Sequence, residues 1–137
     1  MADKIEFELV SPERLLVSEP VAMVVVPGAE GDFGAMPGHS AMISSVRPGV
    51  IAVFENGAVT SRIFIAGGFA EVTPTRCTVL AEQAMPLDEI DREAVEKAIG
   101  DFRDEAAAAR NDVERDAAEK GLAIAQAKLA AVTAPSY

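Results

Sequence analysis

With 137 residues, half of them hydrophobic, the chain can bury one real core but falls short of two independent domains of ordinary size, so one domain and an appendage are expected. Its 22 acidic against 12 basic residues give a formal charge of −10, which repels a phosphate backbone or an anionic bilayer surface and argues against nucleic acid as a partner. One cysteine rules out an internal disulfide, and no apolar run reaches the roughly 18 residues that span a bilayer. The amino end, Asp3-Lys4-Ile5-Glu6, shows no basic and apolar leader, so a soluble cytosolic protein without membrane insertion is expected, free to dock on a membrane complex.

Lys4 to Val10 alternates Ile5, Phe7 and Leu9 with Glu6 and Glu8, the period of a half-buried strand. Ser11-Pro12-Glu13 punctuates, a short run covers Arg14 to Val17, and the nearly unbroken β-branched run from Val21 to Val26 is expected between two layers. From Pro27 to His39, four glycines and two prolines fall within thirteen residues. Glycine permits positive φ and proline fixes φ near −65°, so this density demands a shaped turn, a short strand and another turn. Val50 to Phe54 and Val59 to Ile65 flank Glu55-Asn56-Gly57, and Asn-Gly between apolar runs is the strongest short hairpin signal. Two further runs, Gly67 to Val72 and Cys77 to Ala81, surround the turn Thr73-Pro74-Thr75-Arg76, and Cys77 reads as a small buried hydrophobe or a thiol of a reducing compartment. About eight to ten short strands at close spacing read as an N-terminal antiparallel β-sandwich or flattened barrel.

The pattern changes at Ala84-Met85-Pro86, which separates a β-sandwich domain over 1–85 from a helical domain over 86–137. Alanine, the best helix former, dominates the second part. Asp88 is the expected N-cap of a first helix, with Glu89 and Asp91 in its first turn, and Ile90, Ala94, Ala98 and Phe102 recur every four residues beside Val95 and Ile99. Asn111 followed by Glu114 is a capping-box pattern opening a second helix, whose seam is Ala118, Leu122, Ala125, Leu129 and Val132. Small seam residues allow close approach as a C-terminal antiparallel two-helix hairpin. Each alanine buries little area, so at about 25 cal/mol per Å² the hairpin gains only a few kcal/mol and its docking should be reversible. Pairs Asp88 with Arg92, Glu93 with Lys97 and Asp116 with Lys120 sit at i and i+4 and are expected to support solvated faces weakly.

Little of this sequence carries chemistry. A metal site needs three or four convergent ligands, and one histidine and one cysteine lie far apart in the pattern, so no metal is expected. His39 has Ser40, Ser44 and Ser45 nearby, which keeps a small hydrolase among the readings, although a glycine-flanked loop histidine is far more often non-catalytic. No Gly-x-x-x-x-Gly-Lys-Ser/Thr occurs, and Gly67-Gly68 between strands is better explained by close backbone packing than by a phosphate cradle. No catalytic residue and no cofactor is assigned.

The segment Gly28-Ala29-Glu30-Gly31-Asp32-Phe33-Gly34-Ala35-Met36-Pro37-Gly38-His39, followed by Met42 and Ile43, resembles the epsilon subunit of the F-type ATP synthase, whose comparable segment reads roughly Gly-x-Glu-Gly-x-x-Gly-x-x-Pro-Gly-His. Val10-Ser11-Pro12-Glu13, Arg47-Pro48-Gly49-Val50, the run from Gly67 to Val72, Thr78-Val79-Leu80-Ala81 and Ile90-Asp91 extend the resemblance over nearly the whole chain. It implies a non-catalytic part of the rotating central stalk, peripheral on the cytoplasmic face of the bacterial inner membrane. The implied partners are the gamma subunit and the ring of c subunits, with the alpha and beta subunits as further contacts of a hairpin that restrains ATP hydrolysis. It also implies that Glu30, Gly31, Asp32, Gly34, Pro37, Gly38, His39 and Met42 form the loop facing the c ring and gamma, with Asp32 and His39 exposed.

Some bacterial members of that family bind ATP through an Ile/Leu-Asp-x-x-Arg-Ala motif. Here Ile90 and Asp91 fit, but the arginine position is Ala94 and the next is Val95, so only Asp91 carries over. Arg92 lies two residues too early and points about 200° away around the helix. The second helix offers only Arg115, Lys120 and Lys128 as cations, so an inhibitory clamp onto acidic loops should be weak. The alternative readings are a free-standing sandwich adaptor, separable from an epsilon subunit by co-purification with gamma, and the hydrolase around His39, separable by His39→Ala.

Overall fold

Ile5, Phe7 and Leu9 alternate with glutamates, and in the computed structural model, which describes residues 3–134 and 137, they form the dry side of β1 (Ile5–Val10). The strands that follow are β2 (Leu15–Val21), β3 (Met23–Gly28), β4 (Gly31–Ala35), β5 (Met42–Val46), β6 (Gly49–Glu55), β7 (Ala58–Ile65), β8 (Gly68–Val72), β9 (Arg76–Ala81) and β10 (Ala84–Pro86). The described residues fall into two compact units, one running as far as Pro86 and including Tyr137, the other beginning at Leu87.

The strand order β10-β7-β6-β3-β5-β8-β9-β1-β2, with β4 on the free side of β3, divides into two five-stranded halves. Their link is narrow: β3 runs beside β6 through Met23, Val24 and Val25, and meets β5 only at Gly28 opposite Val46. Both halves contribute to one core, from Phe7, Leu9, Val72 and Val79 in one to Val24, Val26, Ile51 and Ile65 in the other. The uninterrupted apolar run in β3 is buried almost throughout, as expected of a strand between layers. Asn56 and Gly57 both take positive φ, 53° and 77°, and join β6 to β7 in an antiparallel hairpin, the geometry that Asn-Gly predicts. Gly68 opens β8 with φ +142°, where a Cβ would collide with the Leu80 carbonyl, so close backbone packing accounts for it. Cys77 is fully buried, and burial pushes its thiol up to about 12.

Several details differ from the sequence reading. β2 extends to Val21 through Pro20, which an edge strand tolerates. β5 was not expected as a strand, because Ser44 occupies an inward position while Ile43, its most apolar member, points outward at 75% exposure. β10 pairs with β7 at a place read only as a junction. One ladder is parallel, β1 with β9, within an otherwise antiparallel pairing scheme.

The second unit starts with a single 3-10 turn (Leu87–Glu89), then α1 (Arg92–Ala107) and α2 (Asp112–Thr133). Asp88 lies in the 3-10 turn, so it is not the N-cap. That role falls to Asp91, whose carboxylate accepts from the Glu93 and Ala94 amides at 3.0 and 3.5 Å. Asn111 caps α2 as expected, accepting from the Glu114 amide at 2.9 Å. Val95, Ile99 and Ala125 form the buried seam with Ile90, Ala98, Phe102, Leu122 and Leu129 against it, whereas Ala94, expected in the stripe, is exposed. α2 comes close enough to α1 that the Phe102 ring lies where a Cβ on Gly121 would be. The surface pairs also differ: Arg92 bonds Glu96 and Lys97 bonds Asp101, one helical turn toward the C-terminus rather than back to Asp88 and Glu93. Among the described residues no helix is long and apolar enough to cross a membrane.

Candidate partner-contact site

The turn from β3 into β4 is a tight reversal, with Gly28 opposite Gly31 and the exposed Ala29 and Glu30 between them. Asp32 stands opposite Pro27, on the outward side of β4, while Phe33 and Ala35 pack toward the core. Arg47, just after β5, braces this corner from beside it. Its backbone amide donates to the Pro27 carbonyl at 2.9 Å, and its guanidinium donates to the Gly28 carbonyl and to Asp32 Oδ1. A planar fork that bonds a carbonyl and a carboxylate at once fixes both with a rigid geometry that a lysine ammonium lacks.

The second carboxylate oxygen of Asp32 accepts from the Tyr137 hydroxyl at 2.8 Å. Partial burial works against the charged form of Asp32, but the hydrogen bonds from Arg47 and Tyr137, together with the Arg47 charge, outweigh it and hold the carboxyl below its ordinary value. Elsewhere in the sandwich, Glu55 is also held low, first by its bond from Lys4 at 2.7 Å and also by the Ala22 amide at 3.0 Å.

His39, expected to be exposed, is half-buried: its ring centroid lies 6.4 Å from that of Phe33, and its amide donates to the Met36 carbonyl at 3.1 Å. Nδ1 lies 2.6 Å from the Ser40 carbonyl oxygen, which only accepts, so that nitrogen carries the proton. The imidazole thus donates to a backbone carbonyl, and Ser44 donates its hydroxyl to the Ser45 carbonyl rather than to the histidine. The Gly38 amide donates to the Pro74 carbonyl at 2.8 Å and ties the segment to the turn between β8 and β9.

The predicted contact residues are thus spread over three places. Glu30, Gly31, Asp32 and Gly34 are exposed on the β3–β4 hairpin, Pro37, Gly38 and His39 lie on the connection, and Met42 opens β5 and leans on the core. Asp32 and His39 are on one continuous segment, yet each has its own partners. Arg47 and Tyr137 are the residues that sequence reasoning missed. Arg47 could have been noticed as a lone cation before a Pro-Gly turn, whereas Tyr137 gives no local signal. Asp91, the one residue matching the nucleotide motif, uses its carboxylate to cap α1.

Residues 4–87 match the family described as ATP synthase, Delta/Epsilon chain, beta-sandwich domain, and residues 91–137 match the family of the carboxy-terminal domain of the ATP synthase epsilon subunit. The protein belongs to the ATP synthase epsilon family. It is 61% identical over 134 residues to the ATP synthase epsilon chain of Rhodospirillum centenum, covering 94% of this sequence and 92% of that one. With the epsilon chain of Rhodospirillum rubrum it shares 56% over 131 residues, covering 96% and 98%. Among solved structures, a subunit in the Euglena gracilis mitochondrial ATP synthase, solved with its c-ring, is similar at TM-score 0.84 and 29% identity over 96% of this protein and 83% of that subunit. A subunit of the Tetrahymena thermophila central stalk and c-ring, at TM-score 0.64 and 14% identity over 95% and 97%, shares the fold.

Proposed function

We propose that this epsilon-family protein is a non-catalytic rotor subunit of the central stalk of an F-type ATP synthase, held by gamma and the c ring, peripheral on the cytoplasmic face of a bacterial inner membrane. The observation that carries this reading is the match of both parts of the sequence, 4–87 and 91–137, to epsilon subunits, with relatives at 56% and 61% identity over more than nine-tenths of its length. A sandwich with one close-packed core suits a part that passes rotation on, since packed interiors deform little. The segment from Glu30 to Met42 is the surface we assign to gamma and the c ring. Its favourable features are an acidic hairpin tip braced by Arg47, with the adjoining Ala29 amide held by the Ser45 carbonyl and the Gly38 amide by the Pro74 carbonyl. Residues 1–85 and 86–137 act in this reading as separate sandwich and hairpin domains. The hairpin restrains ATP hydrolysis only weakly, because cations are sparse on α2, and it binds ATP weakly or not at all, because Ala94 stands at the motif's arginine position.

Reconstitution with gamma and the c ring tests the surface. Asp32→Arg with His39→Glu should leave the circular dichroism of the isolated protein near that of the parent, with a small drop in melting from the lost bonds to Arg47 and Tyr137, while weakening docking, most at low ionic strength. Undiminished assembly of that variant at every salt concentration would overturn the assignment. In an assembly that also contains the catalytic alpha and beta subunits, removing everything beyond residue 86 should raise ATPase by less than severalfold, and a larger rise would refute the weak clamp.

A further inference from the structure

Tyr137 groups with the sandwich strands and makes three contacts of different kinds there. Its hydroxyl donates to Asp32 Oδ2 at 2.8 Å, its carbonyl oxygen accepts from Arg62 Nε at 2.7 Å, and its ring meets Phe54 edge-on, with centroids 6.0 Å apart and planes at 84°. The three receiving residues come from β4, β6 and β7 of the same five-stranded half. Asp32 is opposite Pro27 and Arg62 opposite Ala52, out of phase with the core residues Val26, Ile51 and Ile63, so these side chains share the sheet face opposite that core. An aromatic edge, a carboxylate and a guanidinium recognise separately the ring, the hydroxyl and the backbone of one residue. The Arg47 guanidinium, on the other Asp32 oxygen, keeps that carboxylate charged and oriented as an acceptor.

We propose that the Phe54–Arg62–Asp32 corner is a docking site whose occupant is this protein's own Tyr137, and that a partner reaching Asp32 must displace it. The second half of this inference rests on the reading of the Glu30 to Met42 segment as the contact surface; the docking site does not. Docking makes part of the surface unavailable until Tyr137 leaves, so the apparent affinity for gamma is reduced by the fraction of molecules with the site empty. The charged groups acting on the phenol are Asp32 and Arg47, while Arg62 engages the backbone carbonyl of the same residue. Asp32 is held below 3.8, so its contribution is complete above that value and is lost as pH falls through the lower folded one. The phenol is raised above 10.0, chiefly by its bond to Asp32 and then by burial, so its contribution is present below that value and is lost as pH rises through the higher folded one.

The sequence has one tyrosine and no tryptophan, so fluorotyrosine incorporated during expression marks this site alone. In the full-length protein its fluorine resonance should lie away from that of the unfolded state, and Asp32→Asn should lower the titration midpoint of the phenol. Adding unlabelled gamma should move the resonance to the undocked position, and Tyr137→Phe should bind gamma about three- to tenfold tighter. A resonance already at the unfolded position, or a midpoint unchanged in Asp32→Asn, overturns the docking site. A docked resonance that gamma leaves in place, with unchanged affinity in Tyr137→Phe, overturns displacement. If the Asp32→Arg, His39→Glu variant also binds gamma normally, the contact-surface reading has failed with it. If that variant loses binding, only displacement has failed.

Discussion

The sandwich and the hairpin bury apolar side chains of very different size. In the sandwich Phe7, Leu9, Ile5, Ile51 and Ile65 are shut away from water, each with close neighbours on all sides. The buried seam of the hairpin is Val95, Ile99 and Ala125, helped by half-exposed Phe102, Leu122 and Leu129. Both patterns satisfy their periodicity, two for strands and 3.6 for helices, yet periodicity says nothing about how much area each position removes from water. The sandwich therefore has stability concentrated in a few large residues, and the hairpin depends on many small contributions, caps and helix propensity among them.

The sharpest break in that comparison is Phe7→Ala. Removing a fully buried phenylalanine costs about 3–5 kcal/mol, and urea unfolding followed by strand signals should lose most of its stability while the helical signal persists. If both signals disappear together, the units are not energetically distinct. Next comes Ile99→Ala in the hairpin, where the open seam relaxes and the loss should be about 2 kcal/mol, read as reduced helical circular dichroism at an unchanged strand transition. The smallest effect is Asn111→Ala, which removes the acceptor for the Glu114 amide and should cost about 1 kcal/mol. Because the hairpin has little to spare, even this loss should be visible as fraying of α2.

What could be read from the sequence was whatever depends on neighbours along the backbone. The Asn56-Gly57 turn, the buried run of β3, the Asn111 cap and the phase of Val95 and Ile99 are all local. The misreadings have the same origin. Asp88 and Asp91 are equally good caps by composition, and the choice between them depends on the 3-10 turn closed by Ile90 donating to the Leu87 carbonyl at 3.2 Å. β5 hides because its inward serine and outward isoleucine invert the usual pattern, which only the ladder to β8 makes intelligible. In the candidate site, the glycine-rich hairpin was legible, but the groups that set the charge state of Asp32 come from 15 and 105 residues away, beyond any local pattern.

Cys77 has a practical consequence. Its thiol is enclosed and pushed up to about 12 by burial, so at neutral pH it stays protonated behind a wall of side chains. The native protein is therefore a silent background for thiol labelling. A cysteine introduced at exposed Glu13 or Val113 would take a maleimide dye or a crosslinker alone, and the single native sulfur would need no replacement before the two units are tracked separately in a turning assembly.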